Sequence, residues 1–271
     1  MRILFPLLCL PALLAAQDAH QIVVKAVEMD KKNAEQAANY RYLLREVETD
    51  LDADGKAKSQ IIRTFDVTQV EGSPYRRMVG RNDGPLTDTE QRFEDNKLQF
   101  NIEQRKKETP DQRQARIASW KKREERRREP LRELPDAFDF KIAREEANQW
   151  VIHATPRPGY KPKSQATSFF PKVSLRLWVD KREFQCVRAE MEVKDTVSFG
   201  GFLVRVAKGG KLVLENARVN GDVWLPKAFS MEASARMMLV KGYHKRMDYA
   251  FSDYKKSQGD PPVVAATPAI H

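Results

Sequence analysis

The chain has 271 residues, of which 41% are hydrophobic and 32% are charged, and this composition excludes collagen-like, disordered and membrane-bundle proteins. Its 48 lysines and arginines outnumber its 38 aspartates and glutamates, which gives a net charge of +10. The two cysteines, Cys9 and Cys186, are too few for a disulfide scaffold or a cysteine-based zinc site.

Residues 1–16 have the form of a secretory signal peptide. Arg2 precedes an apolar run that ends in small residues, a pattern that predicts cleavage after Ala16. The run is shorter than the roughly 20 residues that a transmembrane helix needs. We therefore predict an exported protein, periplasmic or secreted, whose remaining thiol, Cys186, is inert.

The segment that follows the signal peptide predicts one helix and then three strands. Residues 18–39 place apolar residues at helical spacing, with an interruption near Asp30. The strands are predicted over Tyr40–Val47, Lys58–Val70 and Pro74–Arg81, because apolar and β-branched residues recur there between turn signals.

Residues 87–133 predict a helical insert made of two helices. Thr87 and Thr109 are each followed three residues later by Glu or Gln, which is the pattern of a capping box. Pro130 and Pro135 are expected to end the second helix, since proline disrupts helical hydrogen bonding.

The insert holds much of the positive charge, with twelve basic residues against five acidic ones between Arg105 and Arg132. Two interpretations stay open: a solvated, ion-paired helix, or a surface for an anionic partner such as a membrane or an acidic protein. Nucleic acid is not expected, because an exported protein seldom meets it and no platform of interleaved aromatic residues for stacking bases accompanies the charge. The candidate patch consists of Lys121, Lys122, Arg123, Arg126, Arg127 and Arg128.

The second half of the chain has the pattern of a β-meander. Phe138–Arg144 and Gln149–Thr155 predict a hairpin, and the proline-containing segment 156–171 predicts an irregular loop. The strands beyond it alternate apolar and polar residues, and Asn220-Gly221 favours a tight hairpin turn. The tail from Ser257 to His271 is expected to be disordered.

About ten short strands in sequential order predict a mainly β fold of the α+β class. We expect a curved antiparallel meander that forms an unclosed half-barrel, with an N-terminal helix and the helical insert. Apart from the signal peptide and the tail, residues 17–256 are predicted to form a single domain.

The alternating strands create an apolar face with two interpretations. It is either ordinary core under the helices or the lining of a cavity for an acyl chain, for which methionine provides an adaptable wall. The candidate lining residues are Leu175, Leu177, Val187, Met191, Met237 and Leu239.

No catalytic signature accompanies this face. The sequence contains no P-loop, dinucleotide fingerprint or nucleophile elbow, and its four histidines lack partners at metal-ligand spacing. We therefore predict a non-enzymatic protein with no metal and no cofactor.

The order of these elements, with the pieces LWVDKREFQCVRAEMEV, NGDVWLP and DTVSFGGFLVRV, resembles the outer-membrane lipoprotein-sorting (LolA-like) superfamily over residues 40–255. That group also includes the sensor domain of the MucB/RseB anti-sigma partners, and the likeness is greatest to exported bacterial members of unassigned role. The basic insert and the 156–171 loop are departures from the compact lipoprotein carriers.

The resemblance implies an unclosed β-barrel whose apolar cavity binds a lipid, a lipoprotein acyl chain or another envelope component. The alternative is a periplasmic protein-interaction or sensor module in which the basic helices of 87–133 dock an acidic partner. An open or a filled interior would distinguish the two.

Overall fold

The computed structural model describes most of the chain beyond the predicted signal peptide. Leu239 and all but the first residue of the predicted disordered tail lie outside the described part. The described residues are 18–37, 39–199, 204–221, 223–237 and 241–257.

Three α-helices and thirteen strands occur in this part of the chain, close to the predicted positions. The helices are α1 Ala19–Ala37, α2 Asp88–Lys106 and α3 Pro110–Ala137, and the strands are β1 Tyr40–Leu51, β2 Ala57–Val70, β3 Ser73–Arg81, β4 Gly84–Pro85, β5 Phe138–Glu145, β6 Gln149–Pro156, β7 Val173–Asp180, β8 Cys186–Val193, β9 Val197–Phe199, β10 Val204–Val206, β11 Lys211–Val219, β12 Val223–Met237 and β13 Lys241–Lys256.

The strands form one antiparallel sheet that does not close on itself, which confirms the predicted mainly β, unclosed architecture. Its strand order is β4-β3-β2-β1-β13-β12-β11-β8-β7-β6-β5, with the short β9 and β10 beside β12. The two outermost strands, β4 and β5, are consecutive in the chain and are joined by α2 and α3. The helical insert therefore connects one edge of the open sheet to the other.

Helix α1 packs against one face of the sheet, which we call the inner face. Its buried residues Ile22, Val23 and Ala26 form a core with apolar residues of β5, β6 and β7. The predicted interruption near Asp30 is wrong, since the helix runs unbroken to Ala37. Arg128 of α3 donates to the backbone carbonyl of Asp30 at 2.7 Å and to its carboxylate, and this contact holds the helix through that turn.

The capping boxes at Thr87 and Thr109 are both present, so α2 and α3 begin as predicted. The predicted end of α3 at the prolines is wrong, because the helix continues through Pro130 and Pro135 to Ala137. Tertiary contacts hold its last turns: Glu133, 6% exposed, accepts a hydrogen bond from the Lys163 backbone N–H at 2.7 Å. Such contacts override the helix-breaking tendency of proline.

Candidate functional site

One row of apolar side chains crosses five neighbouring strands on the inner face. Strand register places these residues directly opposite one another in consecutive pairs, from β7 across β8, β11 and β12 to β13. All five side chains are half-buried, so each keeps accessible apolar surface. We call this set the inner row, and it comprises Leu175, Met191, Leu212, Met231 and Met247.

An aromatic cluster adjoins the inner row on β1, β2, β12 and β13. Phe229 and Phe251 are buried, while Tyr42, Tyr249 and Tyr254 are partly exposed around them. The Tyr42 ring lies 5.7 Å from that of Phe251 and 5.3 Å from that of Tyr254, distances typical of paired aromatic rings. The inner face is therefore apolar beside the row, whereas at the end of the row Met247 pairs with Glu48 of β1, which forms an ion pair with Lys245.

The predicted cavity residues do not all lie in the inner row. Leu175 and Met191 lie in the inner row, whereas Leu177 is only 7% exposed and belongs to the core under α1. Met237 ends β12, and Leu239 lies outside the described residues.

Val187 does not take the inner-face position that simple alternation predicts. Trp178 pairs with Arg188, but Val179 pairs with Cys186, so the register skips Val187. A β-bulge of this kind shifts the side chains beyond it by one position. Cys186 packs against the core under α1 in its place.

Three members of the inner row, Leu212, Met231 and Met247, were not among the predicted lining residues. Their strands alternate visibly in the sequence, so the facing could have been found. Their meeting with Leu175 and Met191 depends on pairings such as β8 with β11, which no local pattern encodes.

A buried acid lies on the face of α3 that is turned away from solvent. Glu124 is 2% exposed; Arg127 donates to its Oε1, and among the described residues its Oε2 has no hydrogen-bond partner. Burial raises the pKa of Glu124 to about 7, against the opposing effect of Arg127 and Arg128. The carboxyl group is thus partly protonated at neutral pH.

Tyr42 links this acid to the aromatic cluster. Burial raises the pKa of Tyr42 to about 12, and the charge of Glu124 contributes in the same direction. The inner face therefore has a titratable group near its aromatic end and an apolar row farther along the sheet.

The predicted basic patch is only partly a solvent-facing surface. Lys121, Lys122, Arg123 and Arg126 are exposed. Arg127 and Arg128 are instead turned inward, where they form ion pairs with Glu124 and Asp30 respectively. A buried carboxylate attracts the nearest cations, and the spacing of residues 124 and 127 on one helix brings the first pair together.

Two other cations of the insert, Arg105 and Arg116, donate hydrogen bonds to the turn between β2 and β3. Arg105 donates to the carbonyls of Val70 and Ser73 at 2.7 and 3.1 Å. Arg116 donates to the Glu71 carbonyl at 2.8 Å and to the Glu108 carboxylate at 2.7 Å. Part of the positive charge of the insert thus serves to anchor it to the sheet.

A cavity of about 500 Å³ lies beside the inner row. Its lining includes Leu175, Met191 and Leu212, together with their neighbours on the same strands. Because successive residues of a strand point to opposite faces, those neighbours belong to the outer face. Several of them are charged, and Arg176 pairs with Glu190 at 3.5 Å, whereas Val213 is apolar, so the lining of this cavity is mixed.

Two other candidates, a reactive Cys186 thiol and a metal site, find no support in the described part of the chain. Burial raises the pKa of the Cys186 thiol to about 12, so it is protonated at neutral pH. Within the described ranges, no three His, Cys, Asp or Glu residues are grouped as a metal site requires. None of the helices described has both the length and the apolarity to cross a bilayer.

No family model and no curated protein matches the chain. Among solved structures, it is similar to a DUF1329 family protein from Desulfovibrio piger, with 11% identity, a TM-score of 0.33, and coverage of 89% of this chain and 94% of that one. It is also similar to a chain of the MucA/MucB complex of Pseudomonas aeruginosa, with 10% identity, a TM-score of 0.19, and coverage of 86% and 99%. At these values neither structure assigns a function to this chain.

Proposed function

We propose that the chain is an exported, non-catalytic binding protein that receives an acyl chain of a lipid or lipoprotein along the inner row. The observation that carries the proposal is the alignment of five half-buried apolar side chains on five adjacent strands. A solvent-accessible apolar strip of this kind is typical of a ligand-binding surface rather than of a finished core. The sequence resemblance to lipoprotein-sorting proteins supports the same ligand class.

The dimensions of the row suit this ligand. Five adjacent strands span about 19 Å across the sheet, since neighbouring strands lie about 4.8 Å apart. That length is comparable to the roughly 15 Å that the acyl chains of one bilayer leaflet occupy. Each CH₂ removed from water contributes about 0.8 kcal/mol, so a partly covered chain binds measurably.

The composition of the row favours a ligand without a fixed shape. Met191, Met231 and Met247 are three of its five members. Methionine is unbranched and polarisable, so it adapts to acyl chains of different length and unsaturation. The polar carboxyl of Glu124 provides a group near the aromatic end of the same face.

Native mass spectrometry of the protein, purified from its own envelope without detergent and followed by lipid extraction, tests the proposal. We expect an acyl-bearing species at near-stoichiometric occupancy. Where the purified protein is empty, a fluorescent fatty acid provides the probe, and its emission should rise on binding.

A matched pair of variants places the ligand on one face of the sheet. Leu212→Gln should weaken binding of the fluorescent fatty acid by about tenfold, because it introduces an amide into the row. Val213→Gln makes a similar change at the next residue, which pairs with Ser230 and Glu190 on the opposite face. Equal affinity in both variants, or no binding by the unmodified protein, would contradict the proposal.

A further inference from the structure

Helix α2 carries two phenylalanines that are turned to solvent. Phe93 is 65% exposed and Phe100 is 60% exposed, the largest exposures among the large hydrophobic residues described. They are seven residues apart, so they lie on one side of the helix about 10 Å from each other. The opposite side of α2 holds the buried Glu94 and packs on β3, as shown by its contact with the Met78 N–H at 3.4 Å.

The exposed side of α2 forms a continuous stripe. Spacings of four, three, four and three residues put its members on one face of a helix. Every member is exposed, and none is acidic. This docking stripe comprises Phe93, Lys97, Phe100, Gln104 and Lys107.

All five acidic residues of α2 lie off the docking stripe, and three of them contact other parts of the protein. Glu90 completes the capping box at Thr87 and pairs with Arg81 at 3.0 Å. Asp95 pairs with Arg77, and Glu94 lies against β3. The docking stripe therefore presents aromatic rings and lysines, and the exposed acids Asp88 and Glu103 lie beside it on the same helix.

We propose that the docking stripe binds the surface of a bilayer that contains anionic phospholipid. Aromatic side chains on one face of a surface helix enter the boundary between headgroups and acyl chains, and neighbouring lysines interact with lipid phosphates. The net charge of +10 and the exposed Lys121, Lys122 and Arg126 attract the same surface over about 8 Å at physiological salt. The proposal goes beyond acyl binding at the inner row and does not depend on it.

Vesicle flotation of the purified full chain tests this inference. The vesicles contain phosphatidylcholine alone or phosphatidylcholine with phosphatidylglycerol. We expect the protein to float with the anionic vesicles and to lose binding as salt increases. Binding to neither vesicle type would overturn the proposal and favour an acidic protein as the partner of this face.

Two variants and a control isolate the docking stripe. The double change Phe93→Ser and Phe100→Ser should weaken binding to anionic vesicles by about tenfold or more, because the inserted apolar area is lost. The control, Gln91→Ser with Gln99→Ser, alters exposed residues off the stripe and should bind as the unmodified protein does. Unchanged binding by the phenylalanine variant would refute the role of the stripe.

The charge contribution is tested separately. Lys97→Gln with Lys107→Gln should reduce binding to anionic vesicles and make it less sensitive to salt, with no change on phosphatidylcholine alone. Equal binding of the unmodified protein to both vesicle types would contradict the part assigned to the lysines. Far-ultraviolet circular dichroism of each variant should match that of the unmodified protein, because the altered side chains are exposed.

Discussion

Apolar side chains on the inner face are buried to different extents in the two halves of the sheet. In the half formed by β5–β8, α1 packs against the inner face and residues such as Phe138, Ile152 and Val179 have no measurable exposure. In the half formed by β11–β13 with β1 and β2, Phe229 and Phe251 are buried as well, but Leu212, Met231 and Tyr249 beside them are only half-buried. Burial is therefore most complete under α1, which contacts β5, β7 and also the start of β12, where Val223 and Leu225 are buried too.

Truncation of one leucine in each half tests this comparison. Leu177→Ala should lower the free energy of unfolding by about 3 kcal/mol, because it leaves a cavity in the core. Leu212→Ala should cost about 1 kcal/mol, because its side chain already contacts solvent. Urea titration measures both values, and equal losses would mean that the second half is as closed as the first.

The buried acid of α3, Glu124, provides a second test through the dependence of protein stability on pH. The folded-state pKa of Glu124, about 7, lies above its ordinary value of 4.5, so folding favours the protonated form. The stability that this group contributes is complete below pH 4.5 and is lost as pH rises through about 7. Glu124→Gln should therefore be more stable than the unmodified protein at pH 8, by on the order of 2 kcal/mol, and equal to it at pH 4.

Thermal or urea unfolding at several pH values checks this expectation. Glu125→Gln, a change at the exposed neighbouring residue, is the control and should leave the pH profile unchanged. A Glu124→Gln profile parallel to that of the unmodified protein would show that the carboxyl titrates as an ordinary surface acid.

The smallest expected effect distinguishes the cations that anchor the insert to the sheet from those that face solvent. Arg116→Gln should destabilise the protein by about 1.5 kcal/mol, since the residue makes charge-assisted hydrogen bonds to Glu71, Ser73 and Glu108. Lys122→Gln should change stability by less than about 0.5 kcal/mol, because Lys122 is exposed. Similar costs in the two variants, measured by urea unfolding, would indicate that Lys122 also anchors the insert.

Local signals in the sequence predicted the local structure well. The capping boxes at Thr87 and Thr109 and the turn at Asn220-Gly221 each depend on a few adjacent residues, and each is present in the described structure. Pro130 was misjudged because the contacts that hold α3 beyond it come from a distant loop.

The candidate site was predicted less completely, for the same physical reason. The choice between Val187 and Cys186 depends on a bulge that only strand pairing defines. The inner row requires five strands to be aligned, and the pairing of β8 with β11 skips the two strands that lie between them in the chain. Glu124 looked like one more charge on a solvated helix, since its burial follows from where α3 lies against the sheet.

Helix α3 lies in the connection between β4 and β5, the two free edges of the sheet. Its 28 residues make a rod about 42 Å long, since each helical residue adds about 1.5 Å. It contacts β3, next to one edge of the sheet, and β5, at the other edge, so its length bears on the separation of the two edges. An insertion or deletion of seven residues, close to two turns, would change its length by about 10 Å with little rotation of its buried side, and we expect the gap between the two edges of the sheet to change with it.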